Sequence, residues 1–562
     1  MKVVIIGGVA GGATAAARIR RLDESAEIII FERSGYISYA NCGLPYYIGG
    51  EIEKPEALTL QTPESFFSRF RITAKVRHEV TGINTAEKYV IVTELDTGRE
   101  FVETYDKLLL APGAKPVKPD LPGIDLDGIY TLRTVEDTLR LREVIEQRGV
   151  KRAAVIGGGF VGIEAAENLA KRGIEVTIVE KASQVLTSFD SDMVSFIHAK
   201  LRAKGIKLIL GAGVNGFEAA DGGIRVSVET GQTVECDMVL LSIGTTPETA
   251  LAGEAGLKLW KRGIYVDNRM RTSAEDIYAV GDAVEIYHRV TGRAAVVPLA
   301  GPANKQARIA ADNICGRNSV YLGAVGSSII KLFDMTAAST GINERTAKEL
   351  GIKYDKIVLS PASHASYYPG GKVMTMKVLW DTESGYLLGA QIVGYDGVDK
   401  RIDVIATVIQ SGMQPEEMAD LELAYAPPYS SAKDPVNIAG YMIENITYGV
   451  MEQFHYEDIE KLPRDGSVTL LDTRTEREYS RGHVPGFINI PVDELRGRVG
   501  ELDPGKPVYV MCQSGLRSYI ACRILSGLGF DCYNFSGGYR FYESITKEKE
   551  AARTAMPCGA EE

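Results

Sequence analysis

Two glycine-rich turns, each set between a short apolar strand and a run of small residues, constrain this 562-residue chain more than any other feature. The first is Gly7-Gly8-Val9-Ala10-Gly11-Gly12, which follows Lys2–Ile6 and leads into Ala13-Thr14-Ala15-Ala16-Ala17-Arg18. A second apolar strand, Glu27–Phe31, then ends at Glu32. The other copy has the strand Ala153–Ile156, the turn Gly157-Gly158-Gly159-Phe160-Val161-Gly162, and the strand Glu175–Val179 ending at Glu180. A tight turn, small residues where helix meets sheet, and an acid about twenty residues on are what a dinucleotide's pyrophosphate and ribose require. The first copy departs from the pattern at Val9, where the middle glycine would stand. Two such units imply two dinucleotides on one chain. An acid at Glu180 accepts bonds from an adenosine ribose and repels a 2′-phosphate, which favours NADH. Lys181 beside it leaves NADPH possible.

A chain this long exceeds one hydrophobic core and predicts three or four domains. Its 63 basic and 74 acidic residues give a net charge of −11 with no strongly basic block, so nucleic-acid binding is not expected. Seven scattered cysteines form neither a disulfide framework nor a paired CxxC metal site, which fits a reducing cytoplasm. The apolar start at Val3–Ile6 is too short for a signal peptide, and Arg18, Arg20 and Arg21 follow it in the wrong order. No apolar run reaches membrane-spanning length.

Two further segments fit the same scheme: Lys107–Gly113, a strand ending in Pro112-Gly113, and Ile277–Val284, a strand followed by Gly281-Asp282. With these four motifs in order, residues 1 to about 445 resemble the pyridine nucleotide-disulfide oxidoreductase family. The resemblance implies an α/β chain with two Rossmann-like dinucleotide-binding domains and an α+β dimerisation domain. FAD would occupy residues 1–112 and 245–320, NAD(P)H residues 113–244, and dimerisation residues 321–445 of a homodimer. It implies FAD contacts at Gly7, Gly8, Ala10, Gly11, Gly12, Glu32, Arg33, Pro112, Gly113, Gly244, Gly281, Asp282 and Ala300. For the nicotinamide nucleotide it implies Gly157, Gly159, Gly162, Glu180, Phe160 as an aromatic gate, and Glu164 near that gate.

Cys42 lies in Gly35–Tyr47, a small, polar, aromatic stretch after the first unit, with no second cysteine four or five residues away. A thiolate there must cycle against an external partner: a substrate thiol, a peroxide or a sulfane sulfur. One branch of the family, the NADH oxidases and peroxidases, carries a histidine in the first turn, where this chain has Ala10. The Ser38–Gly43 motif resembles the coenzyme A-disulfide reductases instead. On the first helix Thr14, Arg18 and Arg21 recur at i, i+4 and i+7, so they share a face suited to the phosphates of coenzyme A. The resemblance extends the thiol-substrate site to Ser38, Asn41, Arg71, Asn304 and Lys433. It also implies that Tyr367 and Tyr425, in two Pro/Gly-marked loops, reach the partner subunit's Cys42.

Between Asn445 and Pro463 the pattern changes, and a linker is expected over 446–462. A second α/β module follows over 463–545: strand Val468–Leu471, Asp472-Thr473-Arg474, Gly482-His483-Val484-Pro485-Gly486, strand Pro507–Met511, then Cys512-Gln513-Ser514-Gly515-Leu516-Arg517. It resembles a rhodanese domain. Backbone N–H groups of the loop and the start of the helix would stabilise a thiolate and then a persulfide at Cys512. Four residues between Cys512 and Arg517 make a cradle smaller than a phosphate requires. Cys522 and Cys532 are expected to be packing residues. The tail over 546–562, with Cys558, is expected to be mobile. Together the two halves predict an NADH-dependent persulfide or coenzyme A-disulfide reductase supplied with sulfane sulfur by Cys512. An NADH oxidase or peroxidase acting through a Cys42 sulfenic acid, with a passenger sulfurtransferase domain, is the alternative.

Overall fold

The computed structural model describes residues 1–555, so Cys558 lies outside the described residues. The described chain forms two compact units: residues 1–185 with 204–326, and residues 186–203 with 327 onward.

The first unit opens with β1 (Lys2–Ile6), α1 (Ala10–Leu22), β2 (Glu27–Glu32), the short α2 (Leu44–Gly49), β3 (Ile72–Val76) and β4 (Lys107–Leu110). It continues through β5 (Ile129–Thr131), β6 (Arg152–Ile156), α3 (Phe160–Lys171) and β7 (Glu175–Glu180). The chain leaves this unit as α4 (Ser191–Ala203) and returns as β8 (Lys207–Leu210) and β9 (Met238–Leu241). β10 (Ile277–Ala279) and α5 (Ala300–Ile314) complete it. Two five-stranded parallel sheets result, in the orders β10-β4-β1-β2-β3 and β8-β7-β6-β9-β5. Their central strands are apolar throughout because both faces are covered; on the second sheet one face packs against a three-stranded antiparallel sheet over residues 214–236. Val3, Val4 and Ile5 are fully buried, as are Ala154 and Val155.

In the second unit, β11 (Ser328–Leu332), β12 (Met335–Gly341), β13 (Tyr354–Leu359), β14 (Thr375–Asp381) and β15 (Leu387–Gly394) make an antiparallel sheet in the order β11-β12-β15-β14-β13. Helices α6 (Val398–Ser411) and α7 (Pro435–Thr447) pack on its core. Lys377 of β14 is fully buried and is compensated by Asp190, Asp192 and Glu344. A buried ammonium needs such partners; here Asp190 directly precedes α4 and Asp192 lies in its first turn.

A parallel sheet ends the unit. Its strands are β16 (Glu452–Phe454), β17 (Thr469–Asp472), β18 (Ile488–Asn489), β19 (Val508–Met511) and β20 (Cys532–Phe535), in the order β16-β20-β19-β17-β18. Separate apolar clusters cover its faces, and α8 (Leu516–Gly527) and α9 (Gly538–Ala555) flank it. Two expectations are corrected here. The supposed linker over 446–462 contains β16, which pairs with β20, so the unpaired connection is only a few residues long. A three-residue strand has no periodicity to read. The tail expected from 546 is instead helical to Ala555, held by Lys547–Glu543 and by Glu548, which accepts from His198 and Arg202 of α4. Among the described residues, no helix is long and apolar enough to cross a membrane.

Candidate active site

The first glycine turn opens onto a cavity of about 420 Å³ lined by Gly7, Val9, Ala10, Gly11, Glu32, Arg33, Pro112, Gly113, Gly281 and Asp282. Gly7 has φ +93°, and a Cβ on Gly12 would stand 1.8 Å from the Gly7 carbonyl oxygen, so a side chain there would break the turn. Glu32 accepts from the Gly8 N–H at 2.8 Å and from the Ser34 N–H at 2.9 Å, which fixes its carboxylate at the cavity rim. Asp282 accepts from Arg133 at 3.1 Å, and Arg33 donates to Glu248 at 2.7 Å. Asn41 lines the same cavity, and its buried Oδ1 has no hydrogen-bond partner. A glycine-floored cavity with an acid at its rim and an orphaned polar atom in its wall fits a bound dinucleotide.

The second turn repeats the design. Gly157 has φ +107°, and a Cβ on Gly162 would lie 2.1 Å from the Gly157 carbonyl oxygen. A Cβ on Gly159 would meet nothing within 4 Å, which leaves its backbone open to a phosphate. Glu180 accepts from Gly158 at 2.6 Å and from Ala182 at 2.7 Å. Phe160 begins α3 and is half-buried. Gly244 has φ +112° and open space around it, and Ala300 is the first residue of α5.

Cys42 sits in a single 3-10 turn, Asn41–Gly43, directly before α2, and is exposed. Ser38, four residues earlier, has φ 47° and donates its N–H to the Gly8 carbonyl, tying this segment to the first turn. α2 packs tightly on α3: a Cβ on Gly49 would come within 2.1 Å of Asn168 Oδ1. Arg142 and Arg172 donate to the carbonyls of Tyr47 and Ile48 in the last turn of α2, tying its end to the surrounding helices. This packing brings the Tyr46 hydroxyl to Glu164 at 3.4 Å. Burial pushes the Glu164 carboxyl up to about 7, with Glu167 adding to the effect and the Tyr46 bond opposing it. Burial and then the Glu164 charge push the Cys42 thiol up, whereas Arg133 pulls it down.

Above pH about 7 Glu164 is an anion, and its charge disfavours the Cys42 thiolate. Glu164→Gln is therefore expected to lower the pH at which Cys42 becomes reactive. It should also remove the inflection near pH 7 from the profile of iodoacetamide alkylation rate against pH. Superimposable profiles would show that Glu164 does not govern the thiol.

Of the expected thiol-substrate residues, the packing of α1 against α5 joins Thr14 to Asn304 through a side-chain hydrogen bond. Arg18 differs from expectation, because Asp312 of α5 accepts from its Nε at 2.8 Å and both groups are largely buried. Its charge is committed inside the fold, so Arg21, which is exposed, is the cation of that face left in solvent. Arg71 caps a helix with φ 49° and lies 5.2 Å over the Phe67 ring. Lys433 is exposed in the second unit.

In that unit the hydroxyls of Tyr367 and Tyr425 share a hydrogen bond of 2.6 Å, and both side chains are exposed. The buried Arg401 of α6 holds both tyrosine loops. Its guanidinium donates to the Ser363 carbonyl, the Tyr429 carbonyl, Ser430 Oγ and Asp434.

The second cysteine centre lies at the end of β19. Cys512 is fully buried; the Gly515 N–H donates to its Sγ at 3.1 Å and the Ser518 hydroxyl at 3.3 Å. Gly538 is required here, since a Cβ would stand 2.6 Å from the Ser514 nitrogen. Buried Arg474 braces the loop: it pairs with Asp472, donates to Gln513 Oε1 and lies 3.8 Å over the Tyr539 ring. Arg517, expected to close the cradle around Cys512, is ion-paired: both its terminal nitrogens donate to Glu478 at 2.7 Å. Glu478 lies 39 positions before Arg517, so no local pattern in the sequence records the pair. Cys522 and Cys532 belong to the sheet's core.

The family signature described as pyridine nucleotide-disulphide oxidoreductase matches residues 1–307. The chain belongs to that family. Its dimerisation domain matches residues 327–435, and a rhodanese-like domain matches residues 455–544. Coenzyme A disulfide reductase of Staphylococcus aureus is 37% identical over 442 residues, 78% of this chain and 99% of that protein. The crystal structure of reduced CoADR-RHD from Bacillus anthracis is similar over 97% of this chain and 98% of that one, with TM-score 0.95 and 44% identity. A NAD-dependent persulfide reductase from A. fulgidus is similar over 96% and 100%, with TM-score 0.90 and 38% identity. The family's two dinucleotide folds, its dimerisation sheet and the added rhodanese sheet are therefore all present.

Proposed function

We propose that this enzyme uses NADH to reduce coenzyme A disulfide, coenzyme A persulfide or a related polysulfide at Cys42, with Cys512 handling sulfane sulfur. The observation that carries the reading is an exposed, lone cysteine where α2 of the first dinucleotide fold packs on α3 of the second. FAD, when bound in the first cavity, supplies the two-electron relay between NADH and sulfur. Gly7, Gly11, Glu32 and Asp282 would hold it.

The Cys42 thiolate attacks one sulfur of the disulfide, the S–S bond breaks, and one coenzyme A thiolate leaves with the electron pair. Two electrons and a proton then release the second thiol and restore Cys42. Glu164, whose carboxyl burial pushes up to about 7, can give and take a proton near neutrality beside this exchange. Thr14, Asn304 and Arg21 form the face offered to the nucleotide part of the substrate. We place the enzyme in the cytoplasm as a homodimer in which Tyr367 and Tyr425 approach the partner subunit's Cys42.

The oxidase alternative gains nothing from the geometry, since Ala10 offers only a methyl group to the cavity. Anaerobic stopped-flow oxidation of NADH should be fast with coenzyme A disulfide or persulfide and slow with oxygen as sole acceptor. Comparable oxygen turnover without any thiol compound would overturn the reading.

A further inference from the structure

The mouth of the rhodanese site has an unusual charge balance. Between Cys512 and Arg517 the loop reads Gln-Ser-Gly-Leu, with no basic side chain. Arg517 is held on both terminal nitrogens by Glu478, whose carboxyl the arginine drives down to about 2, so the pair stays neutral across the working range. The other guanidinium at the loop, Arg474, is buried and neutralised by Asp472. Arg477 and Arg481, on the same short helix as Glu478, are exposed and screened by solvent. No described hydrogen bond joins their guanidiniums to the loop. Beside this neutral floor stands an apolar lip. Leu516 is 65% exposed and Ile520 40% exposed, and their i, i+4 spacing puts them on one face of α8.

We infer that Glu478 is a specificity-determining residue: it cancels Arg517 and so selects sulfane donors with an uncharged, partly apolar body over the thiosulfate dianion. This rests on the reading of Cys512 as the sulfur acceptor. With a persulfide R–S–SH, the Cys512 thiolate attacks the outer sulfur and the bond to the inner sulfur breaks. RS⁻ leaves with the electron pair, and Cys512–S–SH remains. The Gly515 N–H and Ser518 hydroxyl that now donate to Sγ are placed to hold the new sulfur. With thiosulfate the same displacement must expel sulfite, a dianion that needs a free cation at the mouth. Here that cation is already paired.

The test measures kcat/KM of the full-length holoenzyme for sulfur transfer to cyanide from pantetheine persulfide and from thiosulfate. The unmodified enzyme should favour pantetheine persulfide by roughly tenfold or more. Glu478→Gln frees Arg517 and should raise the thiosulfate-to-persulfide ratio by about tenfold. Leu516→Lys, at an exposed position that the fold does not depend on, should move the ratio the same way. Equal use of both donors by the unmodified enzyme, or a ratio unmoved in both variants, would overturn the proposal. Mass spectrometry separates this from a deeper failure. If neither donor leaves an added sulfur on Cys512, the assignment of Cys512 itself falls and takes the selectivity with it.

Discussion

Cys42→Ser is expected to abolish reduction of coenzyme A disulfide and coenzyme A persulfide, a loss of at least about 10³-fold in kcat, while NADH still bleaches the enzyme's flavin absorbance. A serine hydroxyl keeps the size of the side chain, so the turn before α2 and the packing of α2 on α3 should survive. What is lost is the nucleophile, because a hydroxyl does not ionise in the range where a thiol does. On the proposed reading hydride enters through the first cavity and the second glycine turn, whose residues do not include Cys42. Anaerobic stopped-flow absorbance, followed by steady-state turnover, separates the two halves of the reaction. Persistent turnover with coenzyme A persulfide would place the sulfur chemistry elsewhere.

Cys512→Ala is expected to remove sulfurtransferase activity with a sulfane donor while leaving direct reduction of preformed coenzyme A persulfide nearly intact. No other described cysteine of this module can replace it. Cys522 and Cys532 are buried in the core, and burial drives both thiols up, Cys532 to about 11. With a donor that only the rhodanese domain accepts, NADH oxidation should fail in Cys512→Ala. In the unmodified enzyme it should depend on added coenzyme A, whose pantetheine thiol is a carrier able to visit both cysteines. Oxidation that survives the substitution, or proceeds equally well without coenzyme A, would remove the carrier role. Cys558 would then be the next thiol to test.

What the sequence revealed was local. The glycine turns, the acids at the ends of β2 and β7, and the strand–loop–helix around Cys512 are each carried by a few adjacent residues. The side-chain pairs around the two cysteine sites are not. Tyr46 meets Glu164 across 118 positions, Arg133 meets Asp282 across 149, and Arg517 meets Glu478 across 39. No periodicity records such pairings, because they depend on how α2, α3 and α8 pack. Arg18 shows the same gap from the other side. Its spacing with Thr14 and Arg21 was legible, but its ion pair with Asp312 needed α5 in place.

The excursion of α4 has a consequence for synthesis of the chain. Its partners on α9 lie far downstream: Ser195 bonds Ser544, 349 positions later, and Phe196 stacks on Phe541 at 6.4 Å. At about 5–20 residues per second, a ribosome needs on the order of 20–70 s to produce α9 after α4 has emerged. Throughout that interval the face bearing Ser195, Phe196 and His198 lacks its final cover. A chain cut at the end of α7 would keep that face uncovered permanently. Removing the rhodanese module therefore leaves a reductase with a surface built to be buried, and recombinant truncation at that point invites aggregation.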